Sequence, residues 1–117
     1  MLEKMNVSTR RKFPSAQKRS GSNTYQIMRT RIRLFAETLK DEKLRRMFLN
    51  CFYSSLDTAA VCLDDGTTFM LTGDIPAMWL RDSSVQVTGY LPFASEDEDV
   101  RRLICGLLKR QFFYINI

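Results

Sequence analysis

The sequence predicts a mainly α-helical domain that contains one short β-hairpin. Along three long segments, apolar residues recur at spacings of three and four, which is the period of an amphipathic helix. The pair Asp65-Gly66 lies between two short apolar runs, and glycine accepts the positive φ that tight hairpin turns need. Because 44% of the 117 residues are hydrophobic, the chain can bury a core and is not disordered throughout.

Two amphipathic helices are predicted in the first half of the chain. In the first, from Asn23 to about Leu39, the spacing places five residues on a buried stripe: Tyr25, Met28, Ile32, Phe35 and Leu39. Asp41 can cap the second helix, and six residues form its predicted buried face: Leu44, Met47, Phe48, Cys51, Phe52 and Leu56. On that face, Cys51 is interpreted as a small hydrophobic residue rather than a reactive thiol.

The hairpin and two further helices are predicted in the second half. The strands are residues 61–63 and 67–71, and Pro76 then interrupts regular structure. A short helix is expected from about Arg81 to Tyr90. Ser95 and Glu98 have the spacing of a capping box that opens the last helix. The predicted buried face of that helix consists of Val100, Leu103, Ile104, Leu107, Leu108 and Phe112.

Positive charge is concentrated at the start of the chain. Residues 1–22 hold six basic side chains and one acidic side chain, whereas residues 23–117 carry 12 of each sign, so the net charge of +5 belongs to the first segment. We therefore divide the chain into a flexible basic arm, 1–22, and a helical domain, 23–117. The folded part has no basic excess, which argues against a nucleic-acid partner.

Several classes of site and location are excluded or disfavoured by composition. The chain has no histidine, which rules out Ser-His-Asp, Cys-His and His-ligated metal chemistry within it. Its three cysteines are far apart, so neither a disulfide framework nor a metal site is expected, and no cofactor is implied. No apolar run is long enough to span a membrane. No apolar segment of the kind found in signal peptides follows the first methionine, so a cytoplasmic location is expected.

The last six residues, 112–117, are strongly apolar and lack a polar tail. Two interpretations remain open: the chain is an incomplete part of a larger helical domain, or a dimer buries this end. The oligomeric state is therefore not predicted.

The segment from Thr72 to Gln86 is the most informative part of the sequence, because it places the single tryptophan, Trp79, beside Arg81 and Asp82. A sugar presents C–H faces that stack on an aromatic ring. Its hydroxyls can accept from the guanidinium of Arg81 and donate to the carboxylate of Asp82. The alternative is structural: Trp79 fills the core, Arg81 and Asp82 cap a helix and pair with neighbours, and Asp74 forms a turn. The residue types alone leave both open.

Residues 72–86, read as TGDIPAMWLRDSSVQ, resemble the signature of glycoside hydrolase family 125, the metal-independent exo-α-1,6-mannosidases. The flanking residues Arg11-Lys12-Phe13 and Leu56-Asp57-Thr58 are also similar to that family, and the resemblance covers most of residues 10–117. It implies that the chain is the N-terminal part of an (α/α)6 barrel.

The resemblance further implies a mannose-containing glycan as substrate and inversion at the anomeric carbon. It places Trp79, Arg81 and Asp82, with Asp74, on motif positions that line the site of the terminal sugar. It also implies that the general acid and base come from later barrel segments, so this chain holds no catalytic residue and is expected to be inactive alone. The competing hypothesis is a small helical binding module whose basic arm contacts an acidic partner.

Overall fold

A computed structural model describes residues 24–72 and 77–116 of the chain. This part is mainly helical and contains one small antiparallel sheet, as predicted. The regular elements in chain order are α1 (Gln26–Glu37), α2 (Glu42–Ser54), β1 (Ala60–Cys62), β2 (Thr68–Met70), α3 (Leu80–Val87) and α4 (Glu98–Ile115). One π-helical turn, Ser55–Ala59, joins α2 to β1, and one 3-10 turn, Leu91–Phe93, lies between α3 and α4. The predicted arm, 1–22, lies outside the described residues.

Helix α1 begins at Gln26 because Tyr25 takes a left-handed conformation with φ of 60°, which ends the helical path toward the N-terminus. The helix buries Met28, Ile32 and Ala36. The predicted stripe was wrong at Phe35, whose side chain is 53% exposed. Because Ala36 occupies the core side of that turn, Phe35 lies at the edge, where its ring centroid is 5.3 Å from that of Phe48.

The N-terminus of α1 is capped by side chains from the far end of the chain. Asp97 Oδ2 accepts a hydrogen bond from the backbone N–H of Met28 at 3.0 Å, and Asp99 Oδ2 accepts one from Tyr25 at 3.0 Å. The other oxygen of Asp97 accepts from the backbone N–H groups of Asp99 and Val100 and caps α4. One buried carboxylate therefore caps two helices.

The helix cap predicted for Ser95 was wrong. Helix α4 begins at Glu98, and the residue before it, Asp97, has the extended backbone of an N-cap, with φ of −107° and ψ of 110°. The chain forms a tight turn before that point, where the N–H groups of Glu96 and Asp97 donate to the carbonyl of Phe93. Ser95 is thus held inside a turn, while Asp97 is placed where a cap side chain must be.

Helix α2 is capped as predicted: Asp41 Oδ1 accepts from the backbone N–H groups of Lys43 and Leu44 at 2.9 and 3.2 Å. The same helix also caps its neighbour, because the guanidinium of Arg45 donates to the carbonyls of Ala36 and Leu39 at the end of α1. The carbonyl of Ala36 also accepts from the backbone N–H of Leu39, so Arg45 adds a second donor there and supplies a donor to the carbonyl of Leu39 just beyond the helix end.

The buried face predicted for α2 was only partly right. Leu56 is buried and Phe48 and Phe52 are half-buried, but Leu44, Met47 and Cys51 are exposed. The helix packs on one side against α1, and Phe52 meets Tyr90 with their ring centroids 5.2 Å apart. No other described element covers the rest of its apolar face, so Cys51 is not the buried small residue that was expected.

The hairpin was predicted correctly. Strands β1 and β2 are antiparallel, with Val61 opposite Phe69. The turn closes through the N–H of Gly66, which donates to the carbonyl of Leu63, and through the N–H of Leu63, which donates to the carbonyl of Thr67. Gly66 has φ of 80°, the left-handed conformation that a three-residue hairpin loop requires.

Helix α4 packs across the hairpin and holds the centre of the core. Its buried face was predicted correctly at four positions, Val100, Leu103, Ile104 and Leu107, but not at Leu108 and Phe112, which are 45% and 60% exposed. Near its end the buried positions are instead Arg110, Gln111 and Phe113. The face is shifted because polar side chains of α4 bond inward to the hairpin and to α3.

The contact between α4 and the hairpin is close because residue 106 is glycine. A Cβ atom at Gly106 would lie 2.6 Å from Thr68 Oγ1 and 3.0 Å from both the Thr68 nitrogen and the Gly66 oxygen. Two of these three atoms are backbone, so they cannot move away easily. Thr68 Oγ1 in turn donates to the carbonyl of Leu103, which anchors β2 on the helix.

Candidate functional site

The three motif residues with sugar-binding chemistry lie together at the first turn of α3. Trp79 is the residue before the helix, Arg81 and Asp82 are its second and third residues, and Nε of Arg81 is 3.4 Å from Oδ1 of Asp82. Depressions in the surface on either side of this turn are both lined by Arg81 and Asp82, one together with Thr72 and Gln86, and the other together with Trp79. The fourth predicted residue, Asp74, lies outside the described residues.

The side chains at this turn face outward. Trp79 is 57% exposed, and the side chains of Arg81 and Asp82 are 90% and 49% exposed. No side chain caps the N-terminus of α3, and within the described residues Trp79 does not fill the core. Of the structural alternative, the buried tryptophan and the helix cap are not what the described residues form, but Arg81 and Asp82 do pair with each other.

Thr72 fixes the path of the chain on either side of residues 73–76. Its hydroxyl donates to the carbonyl of Ala77 at 2.8 Å and accepts from the backbone N–H of Trp79 at 3.0 Å. Its own N–H donates to the same carbonyl at 3.1 Å. The buried hydroxyl of Thr72 thus holds Trp79 at the end of strand β2. In the sequence this residue stood at the head of the motif, but nothing there assigned it a role.

A second polar side chain, Gln111 of α4, contacts the first turn of α3 from the buried side of that helix. Its Nε2 lies 3.2 Å from the carbonyl oxygen of Leu80, 2.9 Å from Oγ of Ser83 and 2.8 Å from Oγ of Ser84. Sequence reasoning missed Gln111. The signal was its spacing of four from Leu107, which places it on the buried face of the helix.

Gln86 lines the same surface depression as Thr72. Its Nε2 donates to the carbonyl of Leu71 at 3.3 Å. Its Oε1 is buried and accepts no hydrogen bond from any residue that the structure describes.

The residue next to Gln111, Arg110, forms hydrogen bonds with the hairpin and not with α3. Arg110 is fully buried and donates to Thr67 Oγ1 at 3.0 and 3.1 Å and to Asp65 Oδ2 at 3.3 Å. Burial of the Asp65 carboxylate raises its pKa. The hydrogen bonds from Thr67 and the charge of Arg110 outweigh burial, so the net pKa of Asp65 is lowered. This network clamps the hairpin turn and lies away from the motif.

The described residues contain no group of three or more cysteine, aspartate or glutamate side chains arranged to hold a metal ion. None of the helices within 24–72 and 77–116 has the length and apolar character needed to cross a membrane. The turn of α3 presents an aromatic face, a guanidinium and a carboxylate, and these groups can bind and orient a polyol.

Comparison with known proteins assigns the chain to a family. The family model described as metal-independent alpha-mannosidase (GH125) matches residues 41–117. The Meiotically up-regulated gene 157 protein of the yeast Schizosaccharomyces pombe is 43% identical over 79 residues, a match that covers 64% of this chain. The chain spans 16% of the length of that relative. The chain belongs to glycoside hydrolase family 125.

Proposed function

We propose that this chain forms the N-terminal part of an inverting exo-α-mannosidase, in which Trp79, Arg81 and Asp82 bind the terminal mannose of an α-1,6-linked glycan. The observation that carries the proposal is the grouping of these three side chains, all facing outward, on one helical turn. The family match, which includes this turn, supplies the class of reaction.

The proposed architecture is an (α/α)6 barrel to which the described helices contribute the first members. Its support is the apolar surface that these helices leave uncovered within the described residues, at Leu44 and Met47 on α2 and at Leu108 and Phe112 on α4. Contiguous apolar faces of this kind are covered by neighbouring elements in stable proteins. Further helices of the barrel would cover them.

In this proposal the chain binds and orients the sugar but does not transfer the proton. Inverting glycosidases place a general acid and a general base about 6.5–9.5 Å apart, with room for a water molecule between them. Asp82 is engaged with Arg81 and serves as a hydrogen-bond acceptor for hydroxyls. The acid and the base are assigned to parts of the enzyme outside this chain. The 117-residue chain by itself is therefore expected to release no mannose from an α-1,6-linked disaccharide.

The ring of Trp79 and the guanidinium of Arg81 have different tasks. The indole offers a flat apolar surface for the C–H face of the sugar, and 57% of the residue is available for that contact. Arg81 offers a planar fork that donates to two adjacent hydroxyls, and Asp82 accepts from a third. Thr72 keeps Trp79 in register with this pair through the backbone N–H of Trp79.

The experiment replaces Arg81 with Lys, or Asp82 with Asn, in the full-length enzyme. Lysine keeps the charge but not the planar fork, and a lost hydrogen bond to a charged group is worth about 1.5–3 kcal/mol. We expect kcat/KM for α-1,6-linked mannobiose to fall by about ten- to a hundredfold. Asp82→Asn also loses activity, because one acceptor oxygen becomes a donor facing the same hydroxyl.

The matched control is Arg101→Lys, because Arg101 is also an exposed arginine paired with an acid, Glu98, but it lies on α4 outside the motif. This variant should keep the wild-type kcat/KM. The melting temperatures of all three variants should stay close to wild type. If the motif variants melt much lower while their folded fraction has normal kinetics, the residues are structural and the proposed site is wrong.

A further inference from the structure

Gln111 is the one described side chain of α4 that hydrogen-bonds to the turn carrying the proposed sugar-binding residues. It is 8% exposed, and its amide nitrogen lies within 3.2 Å of Leu80, Ser83 and Ser84. Its hydrogen-bond partners do not include the three residues proposed to bind mannose. Gln111 can therefore affect the sugar only through the position of α3.

The direction of each hydrogen bond in this cluster is fixed by chemistry. The hydroxyls of Ser83 and Ser84 both donate to the carbonyl of Leu80, at 3.2 and 2.8 Å. Their oxygens are then acceptors toward Gln111, as is the carbonyl of Leu80. An amide nitrogen carries two N–H donors and no acceptor, so it suits a position where acceptor oxygens converge, with its two hydrogens shared among the three oxygens. A carboxylate or a thioether at the same place would offer no donor.

The cluster converges on the carbonyl of Leu80, which belongs to the peptide group that joins Leu80 to Arg81. Fixing that carbonyl fixes the plane of the peptide and so the position of the Arg81 Cα atom. Asp82 follows one residue later on the same turn. The position of this peptide group, carried on by the helical φ and ψ of the turn, therefore sets where both side chains leave the backbone.

Helix α3 depends on such support because it has little of its own. It has eight residues, well below the length at which an isolated helix is stable in water. Its N-terminus has no side-chain cap. Its buried residues are Ser83 and Val87, and Ser83 is one of the partners of Gln111. The hydrogen bonds from Gln111 on α4 thus orient the first turn together with the bond between Thr72 and the backbone N–H of Trp79.

We propose that Gln111 is a positioning residue for the sugar site: its amide orients the first turn of α3, so that Arg81 and Asp82 converge on one sugar. This inference rests on the proposed function. It adds a residue that lies 29 positions after Asp82 in the sequence and contacts no substrate.

The neighbouring residue on the same helix provides a matched control. Arg110 is also buried and also makes polar contacts to another element, but its partners are Asp65 and Thr67 of the hairpin. Arg110→Met and Gln111→Met each remove buried hydrogen bonds from α4 and keep an unbranched side chain. Both should lower the melting temperature, whereas Gln111→Met alone should disturb the sugar site.

The test measures steady-state kinetics of the full-length enzyme on α-1,6-linked mannobiose. For Gln111→Met we expect KM to rise about tenfold while kcat changes less than about threefold, because a misoriented binding pair weakens substrate and transition state alike. Arg110→Met should keep the wild-type KM. An unchanged KM in Gln111→Met, with a lowered melting temperature, would overturn the inference and leave Gln111 with a structural role.

Two further results keep the outcomes distinct. If Gln111→Met does not fold, Ser84→Ala decides, because Ser84 is exposed and its removal takes away one acceptor of the Gln111 amide. A raised KM in that variant supports the inference, and a wild-type KM overturns it. Lack of activity of the wild-type enzyme on the mannoside would instead count against the proposed function.

Discussion

Helices α2 and α4 have similar amphipathic sequences but very different surroundings. Helix α4 buries eight residues, among them Leu103 and Leu107, against the hairpin and α3. Helix α2 has no residue that is fully buried, although its apolar stripe is as regular. An apolar stripe identifies the face of a helix that favours burial, but it does not identify the element that packs against that face. Within the described residues, the stripe of α2 is covered only in part.

The largest expected effect distinguishes the two stripes directly. Leu103→Ala removes a side chain that is 0% exposed, so it should lower the free energy of unfolding by about 2–5 kcal/mol through lost burial and a cavity. Met47→Ala on α2 removes a side chain that is 57% exposed and should cost less than about 1 kcal/mol. Urea unfolding followed by circular dichroism gives both values.

The comparison would fail if Met47→Ala cost as much as Leu103→Ala. That result would mean that the face of α2 is covered in solution, for example by a second copy of the chain. Sedimentation at the concentration of the unfolding experiment, with and without the substitution, separates a dimer contact from an error in the packing of α2.

A smaller effect is expected at the helix caps. Asp97→Ala removes the cap of both α1 and α4, whereas Asp41→Ala removes the cap of α2 alone. At about 1 kcal/mol per cap, the first substitution should lower the free energy of unfolding by about 2 kcal/mol and the second by about half as much. Hydrogen exchange at Met28 should accelerate in Asp97→Ala only. Equal costs would indicate that Asp97 supports one helix, not two.

The smallest effect is the pH dependence that arises from Asp65. Its pKa is lowered on folding, from an ordinary value of 3.8. A lowered pKa means that the unfolded chain binds the proton more tightly, so the stabilisation from Asp65 is complete above the ordinary value and is lost as pH falls through the folded value. Unfolding free energies measured between about pH 5 and pH 3 should decline more in wild type than in Asp65→Asn.

Asp64→Asn serves as the control, because Asp64 is the exposed neighbour in the same turn. This variant should keep the wild-type pH dependence. A wild-type pH dependence in Asp65→Asn would show that the clamp formed with Arg110 and Thr67 does not respond to protonation of that carboxylate.

The sequence predicted the elements of the fold better than their contacts. The hairpin was predicted because Asp65-Gly66 determines a local turn, and the start of α2 because Asp41 caps its own helix. Prediction from local sequence failed where the position of a helix cap depends on a contact with a residue that is distant in the sequence. Ser95 has the spacing of a cap, but Asp97 fills that role because it also reaches Met28 across the fold. No pattern in the sequence specifies a contact of that kind.

The residues of the candidate site likewise fall into those that the sequence predicted and those that only the structure revealed. Trp79, Arg81 and Asp82 were identified because they lie within four residues of one another, have side chains that can bind a sugar, and match the motif of the family that the sequence resembles. Gln111 and Thr72 were not identified, since each acts on the motif through hydrogen bonds to its backbone. A polar residue on an otherwise apolar helical face, such as Gln111, was the signal available, but its partner could be named only from the three-dimensional structure.

The shared carboxylate of Asp97 has a consequence for the order in which the chain can fold during its synthesis. Asp97 follows Met28 by 69 residues. At a translation rate of about 5–20 residues per second, α1 is made roughly 3 to 14 seconds before its cap exists. A helix of 12 residues is only marginally stable alone in that interval. The N-terminal cap of α1 can therefore form only after the start of α4 has been synthesised. A pause in translation ahead of residue 97 would prolong the exposure of the uncapped helix α1 to chaperones and proteases.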